Sequence, residues 1–162
     1  METRYITMEA WLAAAQTGAA PPVTICLEGD SMRPLIRRGR DPVTIVPLGR
    51  PLRRGDVVLF TLGDGRYVVH RLWRLRGDWV QTLGDHCQNP EPWFPRTQVL
   101  GQVLRFKRGR RTFRLDTPGA RLLGRIWMAS LPLRRSLLRL RAWAGRWYRK
   151  WVPRKGGACH GR

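Results

Sequence analysis

Acidic residues are scarce in this chain. Eleven Asp and Glu stand against 31 Lys and Arg in 162 residues, a formal net charge of +20. That balance argues against a protein that works through an acidic surface. It favours anionic partners: lipid headgroups, nucleic acid or acidic substrates. From residue 121 onward there is no Asp or Glu at all. Cysteine is also rare. Cys26, Cys87 and Cys159 are odd in number and form no C-x-x-C, which speaks against a disulfide framework and for a reducing compartment. Cys26 lies in an apolar run and is predicted to be a buried small hydrophobe. Cys159-His160 lacks two further ligands for a metal, and no cofactor or metal motif is present. No stretch approaches the ~20 apolar residues of a spanning helix. The apolar residues 11–15 fall short of the ~7–15-residue core of a secretory signal. Residues 8–16 are expected to form a helix instead, stopped by Gly18 and the Pro21-Pro22 pair.

What is present is a series of short β-prone runs separated by Gly, Pro and Asp. They cover residues 23–27, 43–46, 56–61, 66–73, 79–82, 99–106 and 111–115. Leu62-Gly63-Asp64-Gly65 and Gly77-Asp78 read as hairpin turns. Such spacing predicts a mainly β fold, an antiparallel and partly closed barrel. Residues 89–95 carry three prolines and cannot form a central strand. They are expected to make a surface loop whose Trp93 and Phe94 either pack on the barrel or cover a cleft. The expected organisation is an N-terminal helix and linker at 1–22, a β domain at 23–116 and a basic helical tail at 117–162.

Three polar side chains stand out within the β region. Ser31 sits in Gly29-Asp30-Ser31-Met32-Arg33-Pro34, His70 ends Val68-Val69-His70-Arg71, and Asp85 follows in Leu83-Gly84-Asp85. A hydroxyl becomes a useful nucleophile when a neighbouring histidine takes its proton, and a carboxylate fixes that histidine's tautomer. Taken singly, the same residues are a turn serine, a strand histidine and an Asx-turn aspartate. His86 is a rival base, in a turn beside Asp85. A metal site from Asp85, His86 and Cys87 lacks the ligand count of a known class.

The order and context of these motifs resemble the serine peptidases of the signal peptidase I and LexA-like group. Gly29 to Pro34 is similar to that family's serine box. Gly39-Arg40-Asp41-Pro42-Val43 looks like a degraded form of the box that follows it. Gly55-Asp56-Val57-Val58 matches the next one, with Asp56 as a structural turn carboxylate. Val68 to Leu72 resembles the base box of the branch that carries His rather than Lys. Thr82-Leu83-Gly84-Asp85 and Val99-Leu100-Gly101-Gln102-Val103 resemble the last two, so the likeness runs from about residue 23 to 106. The resemblance implies a LexA-like or signal-peptidase-like barrel and a serine endopeptidase acting on a peptide or precursor protein. It implies Ser31 as nucleophile, His70 as general base and Asp85 as the orienting carboxylate. The Ser31 N–H would be an oxyanion donor, with Gly29, Asp30 and Met32 shaping the turn. Leu83 stands where the family usually has lysine, and His86-Cys87 replaces an Asn-rich turn. No spanning segment precedes Ser31 in these 162 residues, so peptidase chemistry is implied more than signal-peptide removal. A self-cleaving regulator of the LexA or phage-repressor kind is the alternative, but only thirty residues precede Ser31 and the base position is histidine. A catalytically inactive module binding peptide or lipid is another.

Beyond Pro132 the apolar Leu133, Leu137, Leu140, Ala144, Trp147 and Trp151 share one helical face, with Arg135, Arg139, Arg146 and Arg149 opposite. A basic amphipathic helix edged with Trp suits an anionic membrane surface, reached through residues 121–152. Docking of the apolar face on the barrel is the competing account, and nucleic acid ranks third. The expected location is cytoplasmic, peripheral at the inner face of a membrane.

Overall fold

Alternation of β-branched residues with Gly-centred turns produces short antiparallel strands, and one of them ties the others together. The computed structural model describes residues 8–17, 20–63, 65–133 and 136. Helix α1 (Met8–Gln16) leads into β1 (Val23–Ile25), β2 (Val43–Pro47), β3 (Val57–Thr61), β4 (Tyr67–Arg76), β5 (Trp79–Leu83), β6 (Phe94–Pro95), β7 (Val99–Arg108) and β8 (Arg111–Arg114). Helix α2 (Pro118–Ala129) follows. All pairings are antiparallel, in the order β1-β2-β7-β3-β4-β5-β6, with β8 also on β7. The molecule is therefore mainly β, as expected, but the described strands form an open sheet whose ends β1 and β6 are not paired.

Strand β7 is the junction. It pairs with β2 along 101–106, with β3 along 99–102 and with β8 along 105–108. Among the described strands, the β1–β2 pair and the β3–β4–β5 meander are joined by backbone pairing only through it. Strand β3 divides the interior. Successive strand residues point to opposite faces, so Val57 and Leu59 join a core containing Trp11, Met32, Ile45 and Phe106, while Val58 and Phe60 join one containing Leu72, Val80, Phe94 and Val99. Helix α1 anchors in the first core through Trp11, which is fully buried and donates its indole N–H to the Pro21 carbonyl at 2.7 Å.

Several expectations change in detail. Phe94 does not cover a cleft: it stacks on Phe60 with centroids 4.7 Å apart and forms the two-residue edge strand β6, where the adjacent proline is tolerated. Cys26 is exposed rather than buried, because Val23 and Ile25 take the more covered positions and the next residue in the alternation faces out. The division at 116/117 also differs. One compact unit runs through Ala129, and Ser130 begins the second. Helix α2 belongs with the sheet because Arg121 Nε donates to the buried Asp56 carboxylate at 2.7 Å, and Asp56 also closes its own turn from the Arg53 N–H. The amphipathic run beyond residue 136, with Cys159 and His160, lies outside the described residues.

Candidate active site

Ser31 sits in a turn held by its neighbours. Arg33 N–H donates to the Asp30 carbonyl and Ile36 N–H to the Met32 carbonyl. Met32 and Ile36 are buried in the first core, so they fix the turn from below. Asp30 is exposed and faces Arg33 at 3.6 Å, a solvated pair worth little. Gly29 lies close enough that a Cβ there would stand 4.0 Å from Ser31 Oγ. Among the described residues neither the Ser31 hydroxyl nor its N–H makes a hydrogen bond.

His70 is buried in the middle of β4, tilted against Phe60. Burial pushes its pKa down to about 4, against the pull of the Asp85 charge, so the imidazole is neutral near pH 7 and free to accept a proton. The strand carrying His70 and the turn carrying Ser31 meet at Gly84. A Cβ placed on Gly84 would lie 2.7 Å from Cys87 Sγ, 2.8 Å from the Ser31 carbonyl oxygen and 3.0 Å from His70 Nε2. The glycine thus keeps the space between the Ser31 turn and His70 open. One hydrogen bond locks the two turns: His86 N–H donates to the Ser31 carbonyl at 2.8 Å. His86 contributes through its backbone, and its side chain is exposed.

Asp85 is paired with Arg71. Arg71 grips it with Nε on Oδ1 at 2.9 Å and Nη2 on Oδ2 at 2.8 Å, both partners buried. Arg71 follows His70 on the strand and so projects from the other face of β4. A second carboxylate, Glu91, has its Oε1 3.4 Å from His70 Nδ1, a nitrogen that is buried and has no hydrogen-bond partner among the described residues. The Glu91 backbone is pinned by its N–H to the Thr82 carbonyl at 2.9 Å and by Gln81 Nε2 on its own carbonyl at 3.0 Å. Asp85 still acts on His70 through its charge. Helix α2 secures this arrangement. Trp127 Nε1 donates to the Asp85 carbonyl at 3.0 Å, and a Cβ on Gly124 would strike the Arg71 guanidinium, 2.8 Å from Cζ.

No family model matches the chain, and comparison with curated proteins finds no similar one. The chemistry therefore rests on the geometry. A groove of about 360 Å³ ends at Ser31, lined on one side by Ile25, Cys26 and Leu27 and on the other by Leu59 and residues 67–69. Strand β5 joins β4 only from Arg71 onward, which leaves the β4 edge at 67–70 free to pair with another extended chain. The Cys87 thiol lies beside His70, its pKa raised by burial and by the Glu91 charge. Among the described residues no group of three His, Cys, Asp or Glu could hold a metal ion.

Sequence reading did not single out Glu91, Arg71 or the space at Gly84. A signal for the first two was present. His70 and Arg71 are consecutive on an apolar strand and face opposite ways, so burial of the permanently charged Arg71 calls for a carboxylate, and the segment that follows β5 supplies Asp85 and Glu91.

Proposed function

We propose that the protein is a serine endopeptidase of the signal peptidase I and LexA-like kind, cleaving an extended peptide or precursor segment laid in the groove beside Ser31. The observation that carries this reading is the approach of the Ser31 turn and His70 Nε2 to the same point at Gly84, at the end of that groove. His70 Nε2 takes the hydroxyl proton as Ser31 Oγ bonds to the peptide carbonyl carbon. The Ser31 N–H is a donor for the resulting oxyanion. The proton passes from Nε2 to the leaving amine as the C–N bond breaks, and water, deprotonated by the same imidazole, releases the acyl group. Glu91, whose Oε1 lies 3.4 Å from Nδ1, faces the ring and offsets the charge of the imidazolium. Asp85, tied to Arg71, adds a negative charge that favours the imidazolium.

A fluorophosphonate probe tests the assignment directly. The parent protein should label, and Ser31→Ala and His70→Ala should not. Equal labelling of all three would remove both the nucleophile and the base. A second reading, peptide binding without cleavage, draws on the Ser31 hydroxyl making no hydrogen bond to His70. It expects a parent that binds peptide but never labels.

A further inference from the structure

A second cavity, of about 540 Å³, opens between the β7–β8 hairpin and α2 and shares no lining residue with the groove at Ser31. Its walls include Phe106, Phe113, Leu123, Ile126 and Trp127. Beside it α2 holds out Leu122, Leu123 and Ile126, which are 56%, 69% and 57% exposed, and β8 holds out Phe113, 41% exposed. The spacing of 122, 123 and 126 puts them on one side of the helix. Single exposed apolar residues are ordinary. Phe113, Leu123 and Ile126 at the wall of an apolar cavity, with Leu122 next to them, mark a surface that meets something.

The surrounding charge identifies the occupant. Arg110, Arg111 and Arg125 are exposed and form no ion pair among the described residues. Between residues 92 and 129 the only acidic residue is Asp116, which is already bonded to Arg114 and largely covered. A second copy of the chain would bring cations against cations. A neutral apolar partner would leave the guanidinium groups unanswered. An anionic leaflet supplies an apolar layer and negative headgroups together, within the ~5–10 Å depth that a helix lying in the interface reaches.

We infer that the β8–α2 face docks on an anionic lipid bilayer, with Leu122, Leu123 and Ile126 entering the acyl layer while Arg110, Arg111 and Arg125 meet the headgroups. This surface lies on the folded unit itself, and it stands whether or not Ser31 is a nucleophile.

Vesicle flotation of the full chain tests it, using phosphatidylcholine vesicles with and without phosphatidylglycerol. The basic residues beyond 129 also attract anionic vesicles, so binding is compared at low salt and at ~1 M salt, where the screening length falls to ~3 Å. The parent should float with the phosphatidylglycerol vesicles at both salts. Leu123→Glu/Ile126→Glu should keep the parental melting curve, since both side chains are exposed. Its partitioning at high salt should fall at least ~10-fold, a step of ~1.4 kcal/mol. If that variant melts abnormally, Leu123→Ser/Ile126→Ser makes the same comparison. Equal partitioning of parent and folded variant at high salt overturns the inference, as does complete loss of parental binding there. Self-association that the variant abolishes, without vesicle binding, would assign the face to a second copy and overturn it too.

Discussion

Replacing Gly84 by alanine should part Ser31 from His70 without altering either residue. Ordinary contacts of a Cβ begin at 3.4 Å, and the new methyl would meet Cys87 Sγ at 2.7 Å, the Ser31 carbonyl at 2.8 Å and His70 Nε2 at 3.0 Å. All three neighbours must retreat, each by roughly half an ångström, in the manner of an overpacked core. The thiol can rotate. The carbonyl is less free, because the His86 N–H holds it and His86 is only two residues from the substitution. The imidazole is hemmed in by Phe60. Overpacking of this kind costs about 1–3 kcal/mol. At about 2–4 °C per kcal/mol for a chain of this length, the melting temperature drops by several degrees. Displacing reacting groups by up to ~1 Å lowers the rate by as much as ~100-fold. Labelling rate with a fluorophosphonate and a thermal melt read the two effects separately. Adding Cys87→Ala should restore part of the melting temperature but little of the labelling, since the thiol is the only neighbour it removes. A Gly84→Ala protein that melts and labels like the parent would refute the proposed meeting of turn and base.

Other outcomes follow from the charges around β4. Glu91→Gln should lower labelling by roughly 10- to 100-fold with little change in melting, because its partly exposed side chain carries little packing while it faces His70 Nδ1; a parental labelling rate would show that the ring is held by something else. Arg71→Met should cost about 3–5 kcal/mol in urea unfolding by stranding the buried Asp85 charge, and Arg71→Met/Asp85→Leu should regain much of it; equal losses in the single and double variants would contradict the pairing argument. His70 titrates at about 4 when folded against 6.5 for its ordinary value, so the unfolded chain binds the extra proton between those limits. Stability should therefore fall as pH drops from about 6.5 to about 4, and His70→Gln should flatten that part of the curve. Labelling should persist down to about pH 5, because the buried base stays neutral there; loss near pH 6.5 would mean a solvated imidazole.

The strands were legible because β-branched runs end at glycines that must turn, and observed boundaries shift by only a few residues along β2, β3, β5 and β7. What escaped the reading depends on which way a residue faces once neighbours assemble. Pro95 marks residues 89–95 as a loop, yet Phe94 finds Phe60 and adds a short edge strand. Helix α2, which starts at Pro118 inside the tail expected to be helical, belongs with the sheet, a placement set by the Arg121–Asp56 pair. At the site, the Ser31 and His70 motifs stand out in the sequence, and the turn and strand that carry them meet at Gly84. The contacts of the carboxylates do not, because Asp85 and Glu91 lie on one short segment and only the folded arrangement puts Asp85 on Arg71 and Glu91 beside His70 Nδ1.

The position of β7 bears on when the site can come together. Ser31 lies between β1 and β2 and His70 on the β3–β4–β5 meander, and among the described strands these two ribbons share backbone pairing only with β7, which follows both in the chain, although their side chains meet in one core and His86 N–H reaches the Ser31 carbonyl. A nascent or truncated chain that ends before Val99 carries the Ser31 turn and His70 on two ribbons that lack the strand joining them into one sheet. Strand pairing therefore fixes their relative placement only once the last third of the sheet is laid down.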